Sequence, residues 1–488
     1  MFMGMDRWFR LLQRIGIPSG LATGLLRKLL QTPITPLDFV PGRILHVCGS
    51  LGPGGAERQL TNTVVGLINN GYTDIHVSCA YLRPDRPEQY DFYRSTIEAA
   101  GAHVQQLQPF RQSLADWFDR NVAERGWPWL LLDIRLMIGV AAYYRTFRTL
   151  RPEVVHAWLD YSNIRAGIAA VLAGVPTVIL SGRNLNPTRF NFYSPIMYAV
   201  YSALAQFINI SSDMPTPCCA PEPQPVTSRT RVIMVNNSRA GATDYARWLG
   251  WNDSCFSVVY NGVNFGDASW PSRASAEALR SRYDIPRDAP LVGSVFRFYP
   301  EKDPLLWLHT AAEILRRVPN CHFLLFGNGT LRRQLVSLAI RLGIAGRLHM
   351  PGVTTDVLTA LSAMDVMLFT PHYEGTPNVV LEAGWVGTPV VTTEAGGVCE
   401  ALAQGHTGFV VAERDPVALA DRVCSVLNDD GLRLTVLTAG PDFVRRHYGL
   451  DRMIAETIAL YWSSSRNRHV GEAAVAGAVR ASDPNFLN

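Results

Sequence analysis

Short apolar runs alternate along this chain with stretches of helical periodicity, and glycine, proline or asparagine closes most of the runs. Arg43–Cys48 reads as the first strand. It leads into the glycine-rich run Gly49–Arg58 and then an amphipathic helix to about Asn69. His76–Leu82, Glu153–Trp158 and Val178–Asn184 read as further strands, and Val232–Ser238 and Val258–Val263 as two late strands of the same domain. A second series opens at Leu291–Arg297 and continues at Leu324–Leu331, Leu348–Val353 and Val366–Phe369. Strands separated by helices predict mostly parallel sheets covered on both faces, an α/β protein.

The chain has 488 residues, enough for one to three domains with proper cores. Residues 1–40 read as an amphipathic N-terminal segment and 41–265 as the first domain. Residues 266–290 read as a linker, 291–445 as the second domain and 446–463 as a last helix. Residues 464–488 lack an apolar pattern and are expected to be disordered. Met1–Leu30 carries Arg7, Arg10, Arg14, Arg27 and Lys28 against Asp6, beside Trp8, Phe9, Leu11 and Leu12. Two readings stand for it: an interfacial segment on an anionic membrane surface, or a helix packed on the domain. Pro18-Ser19-Gly20 breaks it, so it cannot span. Ser113–Leu150 reads as a helical insertion containing Trp127-Pro128-Trp129. Asp133 and Arg135 interrupt its apolar run, at roughly 2.5–3.5 kcal/mol each at a bilayer centre, which argues against a span. Membrane-surface contact, acceptor binding and core packing remain open for it. Asp213–Arg231, with Cys218-Cys219, reads as a surface loop.

The densest chemistry lies in Thr370–Val391. Val366–Phe369 before it is a short apolar strand. Thr376 is placed to cap a helix, Pro377 suits its first position, and Gly387 suits its stop. The amides of Asn378 and Val379 then open a helix N-terminus, which attracts anions and phosphates above all. Glu382 projects from inside the helix, about 7–8 Å along the axis from Pro377 at ~1.5 Å per residue. A carboxylate there suits a ribose diol, and Glu374 in the preceding loop suits sugar hydroxyls. An ordinary strand–loop–helix with solvated glutamates is the competing reading.

The net charge of +4 is too small to argue for nucleic acid. The eight cysteines show no metal-ligand spacing, and Cys48, Cys79 and Cys321 sit in strand-like runs as reduced core residues do. With no secretory pattern, a reducing cytoplasm is expected. Of 45 basic residues only Lys28 and Lys302 are lysine; the other 43 are arginine. Lys302 thus invites a specific explanation, because an ammonium and a guanidinium are not equivalent.

Gly54 and Gly55 lie in a glycine loop whose amides can approach a phosphate or a sugar. His76–Leu82 offers no acid before Asp85, which argues against NAD. Glu153–Trp158 reads as a strand, and Trp158 in it reads either as a sugar-stacking or as a core aromatic. Arg183 reads as a partner for an anionic acceptor or for a local carboxylate. Asp303-Pro304 makes a good cap for the helix after Lys302.

The run Glu374-Gly-Thr-Pro-Asn-Val-Val-Leu-Glu382-Ala-Gly-Trp-Val-Gly-Thr-Pro-Val-Val resembles the Glu-x7-Glu signature of the GT-B retaining glycosyltransferases of family 4, in the pattern of bacterial surface-polysaccharide enzymes. The resemblance runs from about Leu45 to Trp462. It implies two Rossmann-like doubly wound domains facing a central cleft, with the last helix crossing back to the first. The first domain would bind the acceptor and the second a nucleotide-diphosphate sugar. Arg297 and Lys302 match the family's diphosphate-binding pair, although Phe296 stands where a glycine is usual. Arg297, Lys302 and Glu374 would be catalytic. Gly54, Gly55, Thr376, Asn378, Val379, Glu382 and Val353 would bind the donor, Val353 near the base. His156, Trp158 and Arg183 would lie on the acceptor side; many relatives carry His-x-His where this chain has His156 and Trp158. Glu394–Glu400 matches a second glycine loop, with Cys399 in place of a proline.

The resemblance implies hexose transfer with retention, the donor phosphate helping to deprotonate the acceptor hydroxyl. Neither a metal nor another cofactor is expected, since no Asp-x-Asp cluster appears in convincing surroundings. The expected acceptor is a saccharide or a polyprenyl-diphosphate-linked saccharide, handled in the cytoplasm or at the inner face of its membrane. The alternatives are a GT-B epimerase or phosphorylase and a non-catalytic carbohydrate-binding protein.

Overall fold

Parallel strands with near-continuous apolar runs need helices on both faces, and the chain supplies a helix between nearly every pair of successive strands. The computed structural model describes residues 19–31, 38–82, 90–107, 134–208, 230–263 and 270–462. They divide into two units. The first holds the described residues up to Asn236, with Ala242–Val259 and 456–462; the second holds Asn237–Gly241 and Tyr260–Ala455.

In the first unit the strands are β1 (Val40–Cys48), β2 (Ile75–Cys79), β3 (His103–Gln106), β4 (Pro152–Trp158), β5 (Thr177–Gly182), β6 (Arg231–Asn236) and β7 (Phe256–Val258). They form one parallel sheet in the order β3-β2-β1-β4-β5-β6-β7. The second unit has β8 (Leu291–Val295), β9 (His322–Phe326), β10 (Leu348–Gly352), β11 (Val366–Phe369), β12 (Val390–Thr393) and β13 (Gly408–Val411), in the order β10-β9-β8-β11-β12-β13. Both sheets are doubly wound, with the order reversing at β1/β4 and at β8/β11. Beyond the carboxyl ends of such a pair, open α/β sheets bind their ligands.

The expected helix after the first glycine loop spans Gly55–Asn69, and Asp303 caps Pro304–Arg317 through a 3.1 Å bond from the Leu306 amide. Gly387, in the left-handed region at φ 75°, ends Asn378–Val386 as expected. Three expectations need correction. The run Val258–Val263 is not a strand: β7 ends at Val258, the Asn261 side chain turns to Thr376 and Asn378, and Val263 bridges Gly449. The stretch read as a linker contains a helix, Arg273–Arg282, belonging to the second unit. Third, the N-terminal segment is not interfacial over Ser19–Leu30. That helix buries Ala22, Leu26, Leu29 and Leu30 in the first unit's core, and Arg27 donates to the Ser202 carbonyl at 3.3 Å.

Residues 1–18, Trp127–Leu132, Cys218-Cys219 and the tail 464–488 lie outside the described residues. From the insertion, Ile134–Leu150 is described and forms a helix. The last helix, Leu450–Trp462, has its residues through Ala455 in the second unit and 456–462 in the first.

Candidate active site

The second unit gathers its chemistry at the β8/β11 reversal. Phe296 and Phe298 bury their rings beyond β8, which leaves Arg297 between them on the surface, its guanidinium 5.5 Å from the Tyr299 ring. Gly327 at the end of β9 packs against this segment. Its φ is +145°, and a Cβ would sit 1.9 Å from the Phe296 carbonyl oxygen, so only glycine fits. A 3-10 turn, Pro300–Lys302, follows. Lys302 then forms an ion pair with Glu374 from the loop after β11, the two side chains only 13% and 12% exposed. Each charge is taken largely out of water, and each offsets the other's desolvation.

A third strand end closes on the same place. The Gly397 amide, in the turn after β12, donates to the Glu374 carbonyl at 3.1 Å. A Cβ on Gly397 would lie 2.6 Å from the Gly375 oxygen, so the second glycine loop is glycine because backbone meets backbone there. Cys399 in this turn is exposed. Glu400 ends it and accepts from the Arg239 and Ala240 amides at 2.8 Å each, neutralising the opening of the helix Arg239–Leu249.

Thr376 does not cap the next helix. Pro377 takes that position, with extended dihedrals, and the helix runs Asn378–Val386. The Thr376 hydroxyl donates to the Asn237 carbonyl, which turns the side chain to a tertiary partner. Asn261 Nδ2 holds both the Thr376 carbonyl and Asn378 Oδ1, at 2.8 Å each. Asn378 and Val379 are half-buried at the helix start, and Glu382 is buried one turn on. Val353 stands apart beyond β10, 74% exposed after Gly352. The structure thus brings Lys302 directly onto Glu374 and sets Glu382 on the helix that follows.

In the first unit, Gly54 precedes the helix Gly55–Asn69 in extended conformation. The Glu57 carboxylate folds back over it: a Cβ on Gly54 would meet Glu57 Oε2 at 2.0 Å. His156, Trp158 and Arg183 come together, but not as a sugar surface. Trp158 is 1% exposed, its Nε1 donates to His46 Nδ1 at 3.1 Å, and its ring stacks on His156 at 4.6 Å. The Arg183 guanidinium lies 4.0 Å from that ring, and desolvation there lowers its pKa to about 9. His156 Nδ1 meets the Tyr461 hydroxyl at 2.7 Å. The core reading of Trp158 therefore holds. β4 is a central strand with both faces covered, so its last side chains are enclosed. Exposed groups follow it instead: Leu159, Tyr161 and Phe192, with the Tyr161 hydroxyl donating to the Phe192 carbonyl at 3.2 Å.

The site also contains residues that the sequence did not single out. His372 and Arg414 both meet Asp303, and only their distant partners reveal them. Among the described residues, no three His, Cys, Asp or Glu side chains gather as a metal-ligand set. No helix of the described residues is long and apolar enough to cross a membrane.

Comparison with known proteins bears on the fold. Residues 275–440 match the family described as glycosyl transferases group 1. The Vi polysaccharide biosynthesis protein VipC/TviE of Salmonella typhi is 28% identical over 448 residues, covering 87% of this chain and 72% of that protein. The UDP-Gal:alpha-D-GlcNAc-diphosphoundecaprenol alpha-1,3-galactosyltransferase of Escherichia coli is 24% identical over 327 residues, 66% of this chain and 79% of that one. Several further relatives are matched over only 46–62% of their own length. Among solved structures, Anabaena Alr3699/HepE with UDP and glucose superimposes with a TM-score of 0.66 at 20% identity, over 86% of this chain and 99% of that one. The fold is GT-B, as in this solved structure, and residues 275–440 carry the likeness to the group 1 glycosyl transferases.

Proposed function

We propose that this protein is a family 4 type, retaining glycosyltransferase. It moves a hexose from a nucleotide-diphosphate sugar to a saccharide acceptor in surface-polysaccharide assembly. The observation that carries the reading is the Lys302–Glu374 pair at the β8/β11 reversal, beside the helix bearing Glu382. The ammonium and the carboxylate neutralise each other. A diphosphate offers Lys302 a stronger anion and frees Glu374 to accept from sugar hydroxyls. Arg297, on the same strand-end loop, adds a second cation, and the pair stabilises the charge that builds on the leaving phosphate. Glu382, buried along the helix, accepts from the ribose diol.

On the acceptor side, the exposed Leu159, Tyr161 and Phe192 replace the enclosed His156 and Trp158 as the surface for a saccharide. Glu57 over Gly54 makes that loop better suited to a neutral hydroxyl than to a phosphate. The names of the two curated relatives make a polysaccharide repeat, lipid-linked in one of them, the acceptor to try first. That acceptor would place the enzyme at the cytoplasmic face of a membrane.

The test is a thermal-shift panel of UDP-, GDP- and dTDP-sugars, then product analysis with the donor that binds. Transfer to an added saccharide, with the anomeric configuration kept, supports the reading. Free sugar released without any acceptor favours an epimerase instead.

A further inference from the structure

We propose that Arg414 is a positioning residue for Lys302, acting through Asp303; this rests on the donor-site reading above. Asp303 follows Lys302 directly and is one of few non-glycine residues at positive φ, 43°. Its carboxylate is a hub. Oδ1 accepts from the Leu306 amide at 3.1 Å, which caps the helix. Oδ2 accepts from Arg414 Nη2 at 2.7 Å and lies 3.1 Å from His372 Nε2. Arg414 stands beyond β13, yet its other contacts reach the loop of Glu374: it donates to the Pro371 carbonyl at 2.5 Å and the Thr370 carbonyl at 3.3 Å.

Further bonds tie the same two loops together. The Thr370 hydroxyl meets the Lys302 and Asp303 carbonyls at 3.3 and 3.0 Å, and the His372 amide donates to the Glu301 carbonyl at 2.8 Å. The segment before Lys302 and the segment before Glu374 are thus fastened together, and Arg414 is the outer bolt.

Lys302 needs such a fastening because of what donor binding does. Among the described residues its side-chain anion is Glu374. When a diphosphate replaces that carboxylate, its anion holds the ammonium at one end, and the fixed backbone sets where the flexible four-carbon chain begins and so what it can reach. Asp303 fixes that backbone from a conformation that side chains resist, and Arg414 holds Asp303 there. The planar guanidinium reaches the carboxylate and two carbonyls at once. A lysine at 414 has no such fork.

The experiment is a double-mutant cycle on nucleotide binding by the full chain, by calorimetry. The probe is UDP, with GDP and dTDP as the next two, each against its own nucleoside. Lys302→Ala is the reference. Arg414→Ala should weaken diphosphate binding about tenfold, and Arg414→Lys nearly as much, as misplacement from outside the chemistry does. Nucleoside affinity should change less than about twofold, which separates positioning from general loosening of the unit. In Lys302→Ala the further change Arg414→Ala should have little effect, since the two act as one.

Additive losses, an equal loss for the nucleoside, or wild-type binding in both Arg414 variants would overturn the proposal. A Lys302→Ala protein that binds diphosphate normally would overturn the donor-site reading and this proposal together. Failure of all three diphosphates to bind the wild type does the same. Arg414→Lys keeps the charge, so it serves if Arg414→Ala does not fold.

Discussion

His46 and His156 stand opposite each other in register on β1 and β4, their ring centroids 5.3 Å apart, both enclosed. His46 Nδ1 accepts from Trp158, so the ring is held neutral, and burial lowers its pKa from 6.5 to about 3. His156 is lowered too, first by burial and then by the charges of His46 and Arg183.

The consequence is acid sensitivity of the first unit. Between pH 6.5 and 3 the unfolded chain binds protons at these rings that the folded chain refuses, so stability rises with pH across that window. At pH 5 the His46 contribution alone is a loss of about 2 kcal/mol relative to pH 8. His76 in the same unit, and His322, His349, His372 and His447 in the second unit, also lowered by burial, act in the same direction. The melting temperature should fall from pH 8 to pH 5, and His46→Gln should flatten part of the fall. A variant whose pH profile matches the wild type would remove His46 from the account.

Glu382→Gln should weaken nucleoside diphosphate binding by roughly 1–3 kcal/mol, the scale of a charge-assisted bond to the ribose. The measurement is calorimetry on a variant with an unchanged melting temperature. Equal affinity for the free diphosphate would show that Glu382 does not hold the ribose.

Lys302→Ala should lower turnover by about 10²–10³, as loss of one electrostatic stabiliser does. It should also destabilise the free protein by up to about 3–5 kcal/mol, because it leaves the Glu374 carboxylate enclosed without its cation. Adding Glu374→Gln should restore melting temperature but not turnover. Lys302→Arg should recover activity only in part, the guanidinium being wider. Full turnover in either single Lys302 variant would mean that the rarity of lysine in this chain carries no catalytic meaning.

Alternation of strands and helices made most strands of both sheets legible, β3 and β13 excepted, and Val366–Phe369 and Gly387 fell where local chemistry puts them. Local signals failed wherever a distant partner decided. Thr376 reads as a helix cap, but Asn237, 139 residues away, takes its hydroxyl. Val258–Val263 reads as apolar strand, yet Asn261 is spent on Thr376, 115 residues on. Trp158 gave no sign of which groups would cover it; His46 is 112 residues off. Arg414 is one arginine among 43, and its partner Asp303 lies 111 residues away. The candidate residues on the Glu-x7-Glu run were visible because the run is local. Those that fasten it were not.

The packed helix Ser19–Leu30 changes how membrane attachment must be tested. Deleting Met1–Pro36 removes Leu26, fully buried, together with Ala22, Leu29 and Leu30, and uncovers the helix Pro195–Leu204. Loss of such leucines costs about 2–5 kcal/mol each, so that protein would bind vesicles through exposed core. The informative truncation stops at Pro18. It removes Arg7, Arg10, Arg14, Trp8 and Phe9 and leaves the packed helix in place. Its melting temperature should equal the wild type, whereas Leu26→Ala should lower it. In flotation with anionic vesicles at low salt, the intact chain should rise and the Pro18 truncation should rise less; both should stay down with neutral vesicles or high salt, since basic residues near an anionic surface supply the attraction. An intact chain that remains with the soluble fraction on anionic vesicles would end the membrane reading and make a soluble saccharide the acceptor to pursue. The roles proposed for Lys302, Glu374 and Glu382 would be unaffected, because they rest on the second unit alone.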